Sequence, residues 1–265
     1  LEVTNMAGGG GGKAFAEVVN KRGSDDSLIV AASAATATRL AQGAYPGNSM
    51  DQVKWVGTIG ADYGVIAVAG DSDVVTLGEL LENLKNKPKK WVIGGGSAVG
   101  GWDHLKVLMA AKEYGISNVR KIKYVSFDGG GDAVTQLLAG NVQIFTGDVS
   151  EIKGFVDAGD IKIIAVLSPD RLPGDFSKFY TAKEQGVNVV GANWRGFYVP
   201  KGMSDDAYNF WAGAIKKMYD TPQWKKTMAK NGLAPLDLSG KAFEAFVANS
   251  VASIQTISKQ IGIIK

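Results

Sequence analysis

Cysteine is absent from the 265 residues, and histidine occurs once, at His104. The first absence excludes a disulfide framework, thiol catalysis and cysteine-ligated metals. The second excludes any site that needs two imidazoles, including His-rich zinc sites and most metallohydrolases. Charge of one sign is scarce as well: 29 Lys and Arg against 26 Asp and Glu leave a net +3. The one basic cluster is NKPKK at 86–90, which reads as a solvated helix end. A nucleic-acid surface needs a denser patch, so no nucleic-acid partner is expected. No apolar run approaches the roughly 18 residues of a transmembrane helix. The opening LEVTNMAGG lacks the charged start and apolar core of a signal peptide. What remains is ordinary globular composition, 45% hydrophobic and 21% charged, in a chain long enough for one large or two small domains with real cores.

Glycine is abundant, with 35 residues. Five run together in MAGGGGGKAFAE, Met6 to Glu17, a stretch that invites comparison with a nucleotide-binding P-loop. That loop requires Gly, four residues, then Gly-Lys and Ser or Thr, because backbone N–H groups cradle phosphates and the hydroxyl ligates magnesium. Counting back from Gly12-Lys13, the first glycine position holds Ala7 and the hydroxyl position holds Ala14. Both diagnostic positions fail. Two readings stay open: a flexible connection, or a turn that lets backbone N–H groups approach an anion ahead of a helix.

Apolar runs alternate with helical patterns, which predicts an α/β architecture with largely parallel sheets. Strands are expected at Leu1–Asn5, Ser27–Ala32, Val53–Ile59, Tyr63–Ala69, Lys90–Gly94, Lys121–Phe127, Val142–Thr146, Ile161–Leu167 and Gly196–Val199. Helices are expected at Lys13–Lys21, Thr36–Gln42, Thr76–Asn86, Gly100–Tyr114, Asp132–Ala139, Ser150–Ala158, Asp205–Tyr219, Pro222–Asn231 and Gly240–Gly262. Thr76 and Ser204 read as N-caps, the first with Glu79 completing a capping box. From Lys90 to Leu167 a unit of strand, glycine-bearing loop and helix repeats, and after Gly196 strands become scarce. A two-lobed protein fits, with the chain crossing out near Tyr63–Ala69 and returning near Gly196–Pro200.

In α/β sheets ligands sit beyond the carboxyl ends of strands. The loops there are small and polar: AGGGGG at 7–12, ASAAT at 32–36, GGGSAVGGWD at 94–103, FDGGGD at 127–132 and TGDVS at 146–150. Their N–H groups and hydroxyls are donors suited to carboxylates. GGGSAVGG fails as a dinucleotide fingerprint, since one frame ends on Val99 and the other puts Ser97 at the second glycine. His104 fits either a structural hydrogen bond or catalysis, and no partner acid or nucleophile is placed by the sequence. Asp128, Asp132 and Asp148 suggest a cation site, but their spacing matches no EF-hand, and capping of helix starts is the alternative for Asp132 and Asp148. Trp102, Trp194 and Tyr63 fit either the core or the wall of a cleft.

The order VGTIGADYGVIAV, a glycine loop leading into WDHL, YVSFDGGGDAVTQLLAGNVQIFTGDVSE, IAVLSPDRLPG, TAKEQG and RGFYVPKGMS resembles the substrate-binding proteins of tripartite tricarboxylate transporters, the Bug receptors. The resemblance covers essentially the whole chain, and FDGGGDAV through GDVSE is close to members that bind citrate and related tricarboxylates. It implies a periplasmic binding protein of type II: two α/β lobes joined by two crossing strands, with a ligand cleft between them. The first lobe would comprise residues 1–68 and 197–265 and the second 69–196. It implies a monomeric receptor without enzymatic activity, cofactor or metal, which captures a small organic carboxylate and delivers it to a membrane permease. Carried over by motif, the first-lobe ligand residues are Gly9, Gly10, Ser33, Thr36 and Tyr63. Those of the second lobe are Ser97, Gly100, Trp102, Gly129, Gly130, Gly131 and Asp148. Arg195, beside the return crossing, fits either a ligand contact or a hinge ion pair. Family members carry a further strand, a proline- and glycine-rich loop and a helix before the segment resembling LEVTNMAGG, so either residues precede Leu1 or the first lobe lacks those elements. The competing expectations are a hydrolase or lyase acting on an anionic substrate through His104, and a ligand-sensing module for a membrane sensor.

Overall fold

The structure, a computed structural model, describes residues 2–265. Of the strand expected at Leu1–Asn5, Leu1 lies outside the described residues, and Glu2–Asn5 are exposed and belong to neither helix nor strand. Every other expected element is represented, and the helix ends differ from expectation by two residues or fewer.

The two strands expected at Val53–Ile59 and Tyr63–Ala69 are a single strand of 17 residues, β2 (Val53–Ala69). Gly60 in TIGADYG reads as a break. In the structure it adopts φ +139 at a register shift, so the glycine bends the strand without ending it. Along Val53–Tyr63, β2 pairs antiparallel with β7 (Ala192–Pro200), which in turn pairs with β1 (Val30–Ser33). The other edge of this half is covered by the segment 234–239, through bridges at Ala61–Ala234 and Gly57–Ser239. From Gly64 onward β2 changes partners, lying between β5 (Ile144–Asp148) and β6 (Ile161–Val166). β3 (Val92–Gly95) and β4 (Lys123–Ser126) extend that second sheet.

The expectation of largely parallel sheets is corrected to mixed ones. Among the strands of the described residues only β3–β4 and β3–β5 pair parallel, as strand-helix-strand units require, with one further parallel bridge at Val166–Thr181. β2 enters the second lobe against the direction of those strands, and β7 returns antiparallel to it, so every pairing of the two crossing strands is antiparallel. The crossing lies at Asp62–Gly64 against Gly191–Arg195. There the Gly64 N–H donates to Gly191 O at 2.8 Å, and the Gly191 N–H donates to Leu167 O at 2.8 Å. Gly196–Tyr198 are held on both edges by β1 and β2.

Helices α1 (Gly12–Lys21), α2 (Ala34–Ala41), α7 (Asp205–Tyr219), α8 (Pro222–Lys230) and α9 (Gly240–Gln260) belong to the first lobe. Helices α3 (Leu77–Asn86), α4 (Trp102–Glu113), α5 (Gly130–Leu138) and α6 (Val149–Ala158) belong to the second. Thr76 and Ser204 cap as expected, accepting from Glu79 N at 3.2 Å and Ala207 N at 3.3 Å. Glu79 reaches one residue past the cap, to Val75 N. The first lobe's core is keyed by Phe243 of α9, which meets Trp194 edge-on at 5.2 Å and Trp55 at 6.0 Å.

The lobes touch away from the crossing. Gln42 Nε2 donates to Gly100 O at 2.6 Å, Lys112 Nζ to Gln260 Oε1 at 2.8 Å, and Arg120 Nη2 to Gly262 O at 2.9 Å.

Phe243→Ala empties a fully buried site at the heart of an aromatic cluster, so urea unfolding should register a loss of about 3–5 kcal/mol. Phe210→Ala, on the exposed face of α7, should stay within about 0.5 kcal/mol of wild type.

Candidate functional site

The crossing brings two carboxylates together in the interior. Asp62 is 0% and Asp148 3% exposed. Arg195 Nη2 donates to Asp62 Oδ2 and Asp148 Oδ2, both at 3.0 Å. Lys106, fully buried on α4, donates to Asp148 Oδ1 at 2.7 Å and Gly147 O at 2.7 Å, and lies 3.1 Å from Asp103 Oδ1. Burial opposes the Lys106 charge, but the Asp148 and Asp103 carboxylates override it and hold the ammonium above its usual range. Asn193 Nδ2 donates to Asp148 Oδ2, while Asn193 Oδ1 accepts from Ala34 N at 3.1 Å, tying the network to the start of α2. Both Asp148 oxygens are thus engaged by protein donors, and the residue also opens α6 with a capping box to Glu151. Arg195 is an ion pair of the crossing that retains a partly exposed side chain, 32%.

In the second lobe, two glycine loops pack backbone to backbone: a Cβ on Gly96 would lie 2.6 Å from Gly130 N. Gly130 also abuts the Glu151 carboxylate, leaving no room for a side chain. Gly129 leads into α5 without a side-chain cap, and Gly131 borders open space. Ser97 Oγ accepts from Asp103 N at 2.9 Å, and Ser97 O accepts from Tyr124 Oη at 2.8 Å. Gly100, at φ +80, donates to His104 Nδ1 at 3.0 Å.

In the first lobe Gly9 and Gly10 form an exposed turn at φ +60 and +61, and Gly10 O accepts from Tyr45 Oη at 2.6 Å. Ser33 and Thr36 spend their hydroxyls on each other's helix turn: Ser33 Oγ accepts from Ala35 N at 3.2 Å, and Thr36 Oγ1 from Ser33 N at 3.4 Å. Tyr63 is not brought to these groups. It stands on the face of β2 opposite Asp62, packed against the cluster that contains Val65, Val149 and Phe176.

His104 is a loop fastener. It stacks on Tyr124 at 4.4 Å, and burial drives its pKa down to about 4. Among the described residues its ring bonds to neither an acid nor a hydroxyl. Nor do Asp128, Asp132 and Asp148 form a group able to hold a metal ion. Asp62, Lys106, Asn193, Gln42 and Arg39 were not marked by the sequence patterns. A charge inside the apolar strand run around Asp62, and another inside the apolar face around Lys106, were the available signals.

Four buried side-chain nitrogens have no partner among the described residues: Arg39 Nε, Trp102 Nε1, His104 Nε2 and Trp194 Nε1. Because His104 Nδ1 accepts, its proton is on Nε2, so all four are donors. They sit on α2, α4 and β7, elements that meet at the lobe seam and the crossing. Two surface cavities lie at the margins. One of about 330 Å³ is lined by Ser126–Asp128 and the first turns of α5. The other, of about 460 Å³, lies between the end of α4 and the end of α9.

Burial, then Asp148, pushes the Glu151 carboxyl up to about 7, and burial, then Asp148, raises Asp62 to about 6. A carboxyl with a raised folded pKa stabilises at low pH, and that contribution is lost as pH rises through the folded value. His104, lowered by burial, acts in the opposite sense below pH 6.5, so a difference measurement isolates Glu151. From pH 5 to 8 wild type should lose about 1–3 kcal/mol of unfolding free energy relative to Glu151→Gln. A constant difference across that window would contradict a buried, proton-holding Glu151.

Residues 3–263 match the family described as "Tripartite tricarboxylate transporter family receptor", TctC. The "UPF0065 protein in gbd 5'region" of Cupriavidus necator is 23% identical over 206 residues, 78% of this chain and 61% of that protein. The chain spans about three fifths of the length of the curated relatives it matches. A Rhodopseudomonas palustris protein solved with adipate superimposes at TM-score 0.88 with 19% identity, covering 99% of this chain and 86% of the other. MatC from Rhodopseudomonas palustris with bound malate gives 0.82 at 16%, covering 97% and 87%. At these identities the likeness establishes the two-lobed α/β fold of solute-binding proteins. The match along nearly its whole length shows that the chain belongs to the tripartite tricarboxylate transporter receptor family.

Proposed function

We propose that this protein is a periplasmic solute receptor that captures a small organic di- or tricarboxylate by closure of its two lobes and hands it to a membrane permease. The observation that carries the reading is the sign of the unsatisfied groups. The four buried side-chain atoms left without partners among the described residues are all N–H donors, on α2, α4 and β7. A carboxylate is an acceptor-only group with about four lone-pair sites and supplies what these donors lack. The uncapped start of α5 at Gly129–Gly131 adds backbone N–H groups and the positive end of a helix dipole. Ser97 and Gly100 hold the loop into α4 in shape beside them.

Closure needs a ligand that binds the closed form better than the open one, since only differential affinity moves that equilibrium. Several carboxylates on one molecule meet this requirement by engaging both lobes together. The bound malate and adipate of two proteins of the same fold favour dicarboxylates, while FDGGGDAV through GDVSE favours the citrate class. Asp148 serves this site indirectly, holding Arg195 and Asn193 in place at its floor. The protein acts as a monomer and needs no cofactor for this task.

Thermal unfolding tests the reading. After unfolding and refolding to remove retained ligand, the protein is heated with succinate, malate, adipate, citrate and, as a control, butyrate. At 100 times its dissociation constant a ligand adds about 2.7 kcal/mol, which at this size raises the midpoint by about 5–10 °C. A shift of that size with one of the polycarboxylates is expected, and a flat response to all of them would overturn the assignment.

A further inference from the structure

Arg22, Arg171 and Arg195 each face a carboxylate. Arg39, on the last turn of α2, faces none among the described residues. Its one side-chain hydrogen bond runs from Nη1 to Gln42 Oε1 at 3.4 Å. Nε is sealed from solvent without an acceptor. A buried donor left unpaired is costly, and one on a charged group more so.

The guanidinium lies against the glycine loop. A Cβ on Gly10 would sit 3.5 Å from Arg39 Nε and 3.8 Å from its Cδ. Gly8, Gly9, Gly10 and Gly11 all take positive φ, at +133, +60, +61 and +93. Side chains are therefore strained here by conformation, and Arg39 lies at contact distance from Gly10. Tyr45 closes one side, donating to Gly10 O at 2.6 Å. Loop and guanidinium together make a small cradle whose unspent side-chain donor is Arg39, the phenol O–H being taken by Gly10 O, and among the described residues no carboxylate meets that guanidinium.

Gln42 ties this cradle to the other lobe. The residue that accepts from Arg39 also donates through Nε2 to Gly100 O, at 2.6 Å. A line of polar contacts thus runs from the glycine loop through Arg39 and Gln42 to the loop that opens α4.

We infer that Arg39 and the Gly8–Gly12 loop form a carboxylate subsite of the first lobe, which holds one carboxylate of a small di- or tricarboxylate. The inference rests on the carboxylate-capture reading above and sharpens it to one cation. The planar fork of Arg39 offers Nε and Nη2 side by side to both oxygens of a carboxylate, a geometry that lysine does not reproduce. Seated there, the ligand contacts the group that also reaches the second lobe through Gln42.

The test is titration calorimetry of the refolded, ligand-free protein with succinate, malate, citrate and butyrate. It compares wild type with Arg39→Gln and Arg39→Lys, and checks the ligand-free melting temperature of each. Losing charge-assisted hydrogen bonds should weaken the best polycarboxylate roughly 10- to 100-fold in Arg39→Gln and less in Arg39→Lys. The preference for succinate over butyrate should shrink while the ligand-free melting temperature holds. Unchanged affinity in Arg39→Gln overturns the subsite alone. So does an equal loss for every acid accompanied by a lower melting temperature, which is the mark of a strut. If wild type binds none of the acids, the carboxylate reading itself fails. A second readout needs no variant: in ¹⁵N-labelled wild type the Arg39 Nε–Hε resonance should shift during titration with the tightest acid. A resonance that stays fixed while heat shows binding overturns the subsite.

Discussion

Two carboxylates buried side by side cannot both keep their charge without cations in contact, and Asp62 and Asp148 are placed that way at the crossing of the lobes. Removing ions from water costs several kcal/mol each, and only good geometry with full hydrogen bonding offsets it. Here Lys106 arrives from α4, Arg195 and Asn193 from β7, and Ser150 from the start of α6, where its Oγ donates to Asp62 at 2.5 Å. No one of these elements can move far without leaving a charge uncompensated. Helix α2 joins the same arrangement through Ala34 N on Asn193. The network therefore fixes the relative placement of α2, α4, α6, β2, β5 and β7, all but the first of which contribute a charged or hydrogen-bonding side chain to it.

This arrangement also decides what kind of chemistry is left over. The acids are absorbed by internal cations, and the hydroxyls of Ser33, Thr36 and Ser97 are absorbed by helix starts. What the interior still offers is donors: two indoles, an imidazole N–H and a guanidinium Nε. Any solute rich in acceptor oxygens could pair with them, and an anionic one would do so through stronger, charge-assisted bonds. The same accounting covers His104, whose pKa burial lowers to about 4 and whose Nδ1 is taken by the Gly100 N–H.

The helices, their caps and the glycine loops were legible because each is written in a local pattern: Thr76 before an apolar 3.6-residue repeat, Ser204 before Asp205, glycines before helix starts. The continuity of β2 was not. Gly60 looks like punctuation in sequence, and only its antiparallel partners, Arg195 on one edge and Ala234 nearby on the other, keep the strand running through it. Arg195 stood out as ambiguous, and contact with Asp62 and Asp148 resolved it into an ion pair. Lys106 offered only a charge inside an apolar helix face, and Arg39 offered no signal. Whether a cation on an amphipathic helix is solvated, paired or unpaired depends on residues 42 positions away in one case and on the turn at Gly10 in the other. Ser33, Thr36 and Gly100 were read from sequence as ligand residues, and in the structure their side-chain or backbone bonds shape the turns in which they stand.

Strand β2 belongs to both sheets, and its side chains alternate without interruption across the point where partners change: Asp62 into the ionic cluster, Tyr63 onto the apolar cluster of the second lobe, Gly64 against Lys106. The two lobes therefore share one parity. Inserting or deleting a single residue between Gly60 and Gly64 would turn every later side chain of the strand to the wrong face. Asp62 would meet the apolar cluster and Tyr63 the charges, without any change in composition. Changes of length in this strand keep its two faces only if they come in pairs of residues or are matched by a compensating bulge.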